Sequence, residues 1–306
     1  MEESPRANLA AGFWRLADPK ISLASMASIF LGACAAAVGG RINFFWLGIT
    51  VVGIFAIEVA KNASGEIFDF DSGADLGIAP EDRSPFSGGK RVLVDGLLTR
   101  KQTVVIAAIS YVIGAGLGLV IVEWRQFDVL WIGLAGMFCA FFYQSPPVKL
   151  SYRGLGELAV AISYGPLICC GTYLVQRGRI DLEPLLVSIP LGLLIANFLW
   201  VDEFPDFASD AKADKRTLVV CLGRKRASFV FPFTFAVAFG MLLTLPTFGL
   251  PKPILLGGVA LIPAVAAVRR VLRHPDETAK IIPAQGQTLL AFLLYSVGAG
   301  AGFLVS

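Results

Sequence analysis

Residues 44–75 read FFWLGITVVGIFAIEVAKNASGEIFDFDSGAD. The first half, 44–59, is mostly apolar with Glu58 its one charged residue, and has nearly the length of a membrane-crossing helix. The second half crowds Glu66, Asp69, Asp71 and Asp75 at its end. The same order recurs at 185–214, where an apolar run (185–201) is followed by DEFPDFASDAKAD, with Asp202, Glu203, Asp206, Asp210 and Asp214. Both acidic segments contain Glu-x-x-Asp-Phe, at Glu66–Phe70 and Glu203–Phe207. Four predicted helices separate them, which suggests a duplicated four-helix unit plus one outlier.

Composition extends that reading to the whole chain. Of the 306 residues, 56% are hydrophobic and 16% charged, with a mean hydropathy of +0.70. A soluble domain is nearer about half apolar and a quarter charged, so the composition excludes an ordinary cytosolic enzyme, a disordered tail protein and a nucleic-acid binder. About nine apolar stretches are long enough, or nearly so, to span a bilayer: 21–39, 44–59, 103–122, 127–143, 157–175, 185–201, 229–248, 254–268 and 289–305. The expected fold is all-α, a polytopic membrane protein of about nine transmembrane helices around a central cavity, as one domain over 1–306. The five cysteines form no CxxC pair and mostly sit in apolar runs as small hydrophobes, and the lone His274 excludes a multi-imidazole site. No small-residue cleavage site follows a short apolar core near the N-terminus, so no cleavable signal is expected.

Basic residues set the expected orientation. With the N-terminus inside, twenty-one of them, from Arg6 to Lys280, fall on the cytoplasmic side, against five outside (Arg41, Arg125, Arg177, Arg179 and Lys252). That is a strong positive-inside bias. It places both acidic segments in cytoplasmic loops and, with an odd helix count, Ser306 outside.

Carboxylates are costly near a bilayer and persist chiefly where they act. Glu66 with Asp69, and Asp202 with Asp206 and Asp210, are three or four residues apart, so each set would share one face at a helix end. Facing each other across a cavity, they would repel unless divalent cations lay between them. Oxygen-only ligands suit Mg²⁺, which commonly binds a few carboxylates together with substrate phosphates. Lys90, Arg91, Lys215 and Arg216 stand beside the stripes and suit the remaining phosphate oxygens. The alternative is that the charges merely keep solvated loops out of lipid.

At these residues the chain resembles the UbiA superfamily of intramembrane prenyltransferases, most closely its 1,4-dihydroxy-2-naphthoate polyprenyltransferase branch. Glu66-Ile67-Phe68-Asp69-Phe70-Asp71-Ser72-Gly73-Ala74-Asp75 resembles the first aspartate-rich motif, and Asp202-Glu203-Phe204-Pro205-Asp206-x-x-x-Asp210 with Lys215-Arg216 the second. Pro85-Phe86-Ser87-Gly88-Gly89-x-Arg91 and Tyr152-Arg153-Gly154-Leu155-Gly156-Glu157 also match. Gly65 stands where Asn is usual, Glu66 and Asp202 replace Asp and Asn, Asp71 a frequent Lys and Asp214 a common Gly.

The resemblance implies Mg²⁺-dependent transfer of a prenyl chain from an isoprenoid diphosphate to a small aromatic acceptor, in quinone biosynthesis at the cell membrane. It implies Asp69, Asp75, Asp206 and Asp210 as catalytic metal ligands. Glu66, Lys90, Arg91, Tyr143, Tyr152, Arg153, Asn197, Asp202 and Lys215 are its expected substrate-binding residues. Phe68, Phe70, Tyr143, Tyr152 and Phe207 suit a prenyl cation through their rings, or serve packing. The prenyl tail would lie in an apolar slot open to lipid. Glu58 either faces the cavity or packs between helices, and Asn197 either binds substrate or hydrogen-bonds between helices. A terpene cyclase, or a transferase with a non-aromatic acceptor, would use the same metal site. A cation transporter fits less well, because its acids would sit near the midplane.

Overall fold

The computed structural model describes residues 8–306; Arg6, one of the orientation residues, lies outside them. The described chain is helical, with one isolated bridge between Arg153 and Arg216. A short amphipathic helix, α1 (Leu9–Ala17), is capped by Asn8, whose Oδ1 accepts from Ala11 N at 3.0 Å. Then follow α2 (Pro19–Val38), α3 (Phe44–Ser72), α4 (Arg100–Trp124), α5 (Val129–Phe142), α6 (Gly156–Arg177), α7 (Leu182–Lys212), α8 (Leu218–Leu222), α9 (Arg224–Phe248), α10 (Lys252–Arg273) and α11 (Thr278–Leu304). Among the described residues, eight of these are long and apolar enough to cross a membrane; the ninth expected span, α5, has only 14 residues.

The largest departure from expectation concerns the acidic segments. They are not loops. α3 runs 29 residues and α7 runs 31, so each is about 45 Å long at about 1.5 Å per residue. The hydrocarbon core takes up only about 30 Å. Each helix therefore continues for several turns past its apolar part, carrying Glu66, Asp69 and Asp71 on α3, and Asp202 through Asp210 on α7. α3 stops at Gly73, which takes the left-handed φ of +83°.

Packing aligns the two ends. α6 and α7 cross backbone to backbone at Gly165 and Gly192, where a Cβ on residue 165 would stand 2.8 Å from the Gly192 Cα. Pro166 sits in a π-helical turn, Ser163–Leu167, which absorbs the lost backbone hydrogen bond without ending the helix. α11 is tied into the bundle by polar groups reaching backbone carbonyls, as apolar surroundings demand. Tyr295 OH donates to Val187 O (2.9 Å) and Ser296 Oγ to Ala27 O (2.6 Å).

Candidate active site

The acidic ends of α3 and α7 face one another across a cavity of about 620 Å³, lined by Glu66, Asp69, Asp75, Asp202, Glu203, Asp206 and Asp210 together with Lys90, Arg91 and Lys215. Asp69 is the most heavily engaged. It accepts from Tyr152 OH at 2.7 Å on Oδ1 and from Gln144 Nε2 at 2.5 Å on Oδ2. Lys215 Nζ stands 3.4 Å from Asp69 Oδ2 and 3.4 Å from Asp210 Oδ1, bridging the two motifs. Burial by itself would lower the Lys215 ammonium, but Asp210 and Asp69 outweigh it and hold its pKa well above the ordinary lysine value. Burial, then Asp69, raises the Tyr152 phenol, so it stays a donor.

The loop carrying Ser87-Gly88-Gly89 closes one side. Gly88 N donates to Asp206 Oδ2 at 3.2 Å. Gly89, at φ +70°, lets the backbone pass against the Asp75 carboxylate, where any Cβ would collide with it. Burial first, then Asp69 and Glu66, pushes the Asp75 pKa up to about 8. Arg91 donates to Asp75 O at 3.0 Å and to Asp95 Oδ1 at 3.2 Å, and Lys90 pairs with Asp18. Glu66 Oε1 accepts from Leu93 N at 2.8 Å.

One oxygen each on Glu66, Asp202, Glu203 and Asp206 is buried with no hydrogen-bond partner. Such atoms are expensive. An all-oxygen donor set with orphaned carboxylate oxygens fits a hard divalent cation such as Mg²⁺. Among the described residues, no three His, Cys, Asp or Glu side chains already converge on a single point, and the Lys215 ammonium bridges Asp69 to Asp210.

Not every expected residue reaches this chamber. Asn197 is fully buried away from it, its Nδ2 donating to Phe231 O at 3.2 Å between α7 and α9. Arg153 is exposed and donates to Pro147 O at 2.9 Å. Two unexpected residues do reach it. Gln144, just past the short α5, occupies the space that a Cβ at Gly65 would need. Its amide bonds Asp69 beside the position where the resemblance leads one to expect Asn. Lys61, counted in the sequence with the loop residues, instead lies on α3. The clue was local: a lysine one turn after Glu58 in an apolar helix.

A second cavity, about 470 Å³, runs between α3, α4, α5 and α6 and is almost wholly apolar, lined by residues such as Ile57, Gly118, Gly133, Met137 and Leu167. An acid-lined chamber beside an apolar slot, inside a bundle of helices long and apolar enough to cross a membrane, is the arrangement of an integral membrane enzyme. The chain belongs to the UbiA prenyltransferase family, which it matches over residues 25–302. It is a prenyltransferase. The 1,4-dihydroxy-2-naphthoate octaprenyltransferase of Bacillus subtilis is 27% identical over 290 residues, 93% of this chain and 91% of that protein. The enzyme of the same name from Mycobacterium tuberculosis is 28% identical, covering 84% and 85%. The fold is shared with a UbiA homologue from Aeropyrum pernix (TM-score 0.69, 16% identity, 93% of this chain and 97% of that one). It is also shared with one from Archaeoglobus fulgidus bound to GPP and Mg²⁺ (TM-score 0.63, 12% identity, 96% and 100%).

Proposed function

We propose that this enzyme transfers a prenyl chain from an isoprenoid diphosphate to a small aromatic acceptor of the dihydroxynaphthoate kind, in a Mg²⁺-dependent reaction, as one domain over residues 1–306. The observation that carries the reading is the junction of the two cavities. A prenyl diphosphate has one polyanionic end and one hydrocarbon end, and the chamber and slot match them in that order. The naphthoate prenyltransferases of Bacillus subtilis and Mycobacterium tuberculosis support an aromatic acceptor. The Archaeoglobus fulgidus homologue supports the metal and the donor.

Asp69, Asp75, Asp206 and Asp210 would hold Mg²⁺, which when bound supplies Lewis-acid neutralisation of charge on the leaving diphosphate. The chain's own residues do the rest. Lys90, Arg91 and Lys215 hold diphosphate oxygens the metal leaves uncovered. Tyr152 and Gln144 fix the Asp69 carboxylate by hydrogen bonds to its two oxygens. The apolar slot takes the chain and excludes water from the allylic carbon. As the carbon–oxygen bond breaks, its electron pair leaves with the diphosphate. A ring carbon of the acceptor supplies the pair for the new carbon–carbon bond, then sheds the substituent it carried there, in the simplest case a proton. The positive-inside bias supports a cell-membrane enzyme with both acidic helix ends and the N-terminus cytoplasmic and Ser306 outside.

The test is mass spectrometry of products from purified protein given Mg²⁺, one prenyl diphosphate and an acceptor panel, with a no-acceptor control. A prenylated ring with acceptor-dependent diphosphate release is expected. Rapid conversion of the donor alone to a cyclised hydrocarbon or alcohol would overturn the transferase reading.

A further inference from the structure

Two side chains line both cavities: Lys61 and Tyr143. A donor lying across the chamber and the slot has its first carbon at that junction, so these two residues flank the bond that breaks. Tyr143 offers a ring face, which suits a developing cation. Lys61 does not suit one. An ammonium beside the allylic carbon opposes the positive charge forming there, unless an anion neutralises it.

Among the described residues no carboxylate lies within ion-pair distance of the Lys61 ammonium; Glu58, Asp18 and Asp69 act on it only from farther off. Lys61 is half-buried on an apolar helix, and among the described residues its amino group makes no ion pair or hydrogen bond. Its Nζ stands over the Tyr143 ring, 5.1 Å from the ring centre. Glu58, one turn earlier, is not within ion-pair distance; its carboxyl lies among the hydroxyls of Ser22, Ser25 and Tyr164. Both Glu58 oxygens are buried, with none of those hydroxyls at hydrogen-bonding geometry.

The diphosphate is a poor match for this role. Lys61 precedes Asp69 by eight residues, about 12 Å along α3. Helical side chains tilt toward the N-terminus, which carries the amino group further toward the slot. The chamber already places Lys90, Arg91 and Lys215 around Asp69, Asp75 and Asp206.

We infer that Lys61 binds the acceptor, its amino group pairing with the carboxylate of an aromatic acid and holding the ring against the first carbon of the donor, beside the face of Tyr143. This rests on the transferase reading above. It makes an acidic substituent on the acceptor a requirement set by one lysine, and it links acceptor binding to neutralisation of the charge at the junction.

Two acceptors decide it: 1,4-dihydroxy-2-naphthoate and 1,4-dihydroxynaphthalene, which lacks the carboxylate. With Mg²⁺ and one prenyl diphosphate, the wild-type protein is expected to prefer the first by roughly 10- to 100-fold in kcat/KM, the scale of a charge-assisted contact. Lys61→Gln and Lys61→Met should abolish most of that preference by raising the KM for the carboxylated acceptor. Donor KM should stay within about threefold, and Lys61→Arg should recover part of the loss. Mg²⁺-dependent binding of the labelled donor to each variant reports that the site is still folded. A preference that persists in the variants, or a rise confined to donor KM, overturns the role of Lys61 and leaves the transferase reading standing. Failure of the wild-type protein to prenylate either ring overturns both, and is seen without any variant.

Discussion

Lys215→Met removes one charge from the middle of the site and nearly preserves side-chain length. Lys215 Nζ lies 3.4 Å from oxygens of both Asp69 and Asp210, and the three side chains are 16%, 9% and 5% exposed. At an effective dielectric of about 20, each contact carries a Coulomb attraction of about 5 kcal/mol, which desolvation largely offsets. Breaking a buried pair by removing one partner costs on the order of 3–5 kcal/mol, because the remaining charge is left uncompensated. Here two carboxylates are left facing each other, so the upper end applies. The melting midpoint of the purified protein in EDTA should fall by on the order of 10 °C. Mg²⁺ at about a hundred times its Kd should return about 2.7 kcal/mol, a larger rescue than it gives the wild-type protein. Differential scanning fluorimetry in detergent, with and without Mg²⁺, reads both quantities. A variant that melts with the wild-type protein in EDTA, or gains nothing extra from Mg²⁺, would refute the idea that Asp69 and Asp210 share one cation position.

Three further outcomes follow from the same geometry. Asp69→Asn and Asp206→Asn keep size and remove charge, so each should lower Mg²⁺-dependent turnover by about 10²-fold or more without unfolding the protein, Lys215 keeping Asp210 as its partner when Asp69 is changed; near-normal turnover in either would remove that aspartate from the metal site. Cysteines introduced in the 76–98 loop and near Lys215 should label only after membrane permeation, whereas one near Arg179 should label from outside; equal labelling at all three would reverse the orientation. Asp75, whose pKa burial and then Asp69 and Glu66 push up to about 8, carries a proton at neutral pH until a cation displaces it. Mg²⁺ binding near pH 7 should therefore release protons, measurable by calorimetry in buffers of different ionisation enthalpy, and the release should fade above about pH 9. Because the folded value exceeds the ordinary 3.8, the stability this group contributes is full below about pH 4 and lost as pH rises through about 8, so metal-free protein should melt lower across that upper range.

Hydropathy and spacing are local properties, and what depends on them was legible in the chain. The apolar runs identify membrane helices because a bilayer removes every alternative for the backbone. Glu66 with Asp69, and Asp202 with Asp206 and Asp210, could be assigned to shared faces because helical geometry dictates that spacing. The resemblance also singled out the segment holding Gly88 and Gly89, and Tyr152 as a substrate-binding residue. Helix ends were less legible. Residues 60–72 and 202–212 are polar enough to read as loops, yet they remain helical. The cavity gives their charges partners, and the backbone loses nothing by continuing to bond itself.

Tertiary structure alone decided which side chains meet. Lys215 reaches Asp69 across 146 residues and Gln144 reaches it across 75; neither pairing has a period or spacing to betray it. Gln144 enters only because Gly65 leaves room and α5 stops short. Asn197, one helical turn from the second motif, turns instead to Phe231 on α9, since a helix offers each residue a single direction and the crossing of α7 with α9 determines what lies there. Lys61 looked like any basic residue beside a span until the folded bundle set its amino group where a polar chamber and an apolar slot meet. Composition determines which segments leave water; the crossing of the helices, which local sequence does not encode, determines what each buried charge faces.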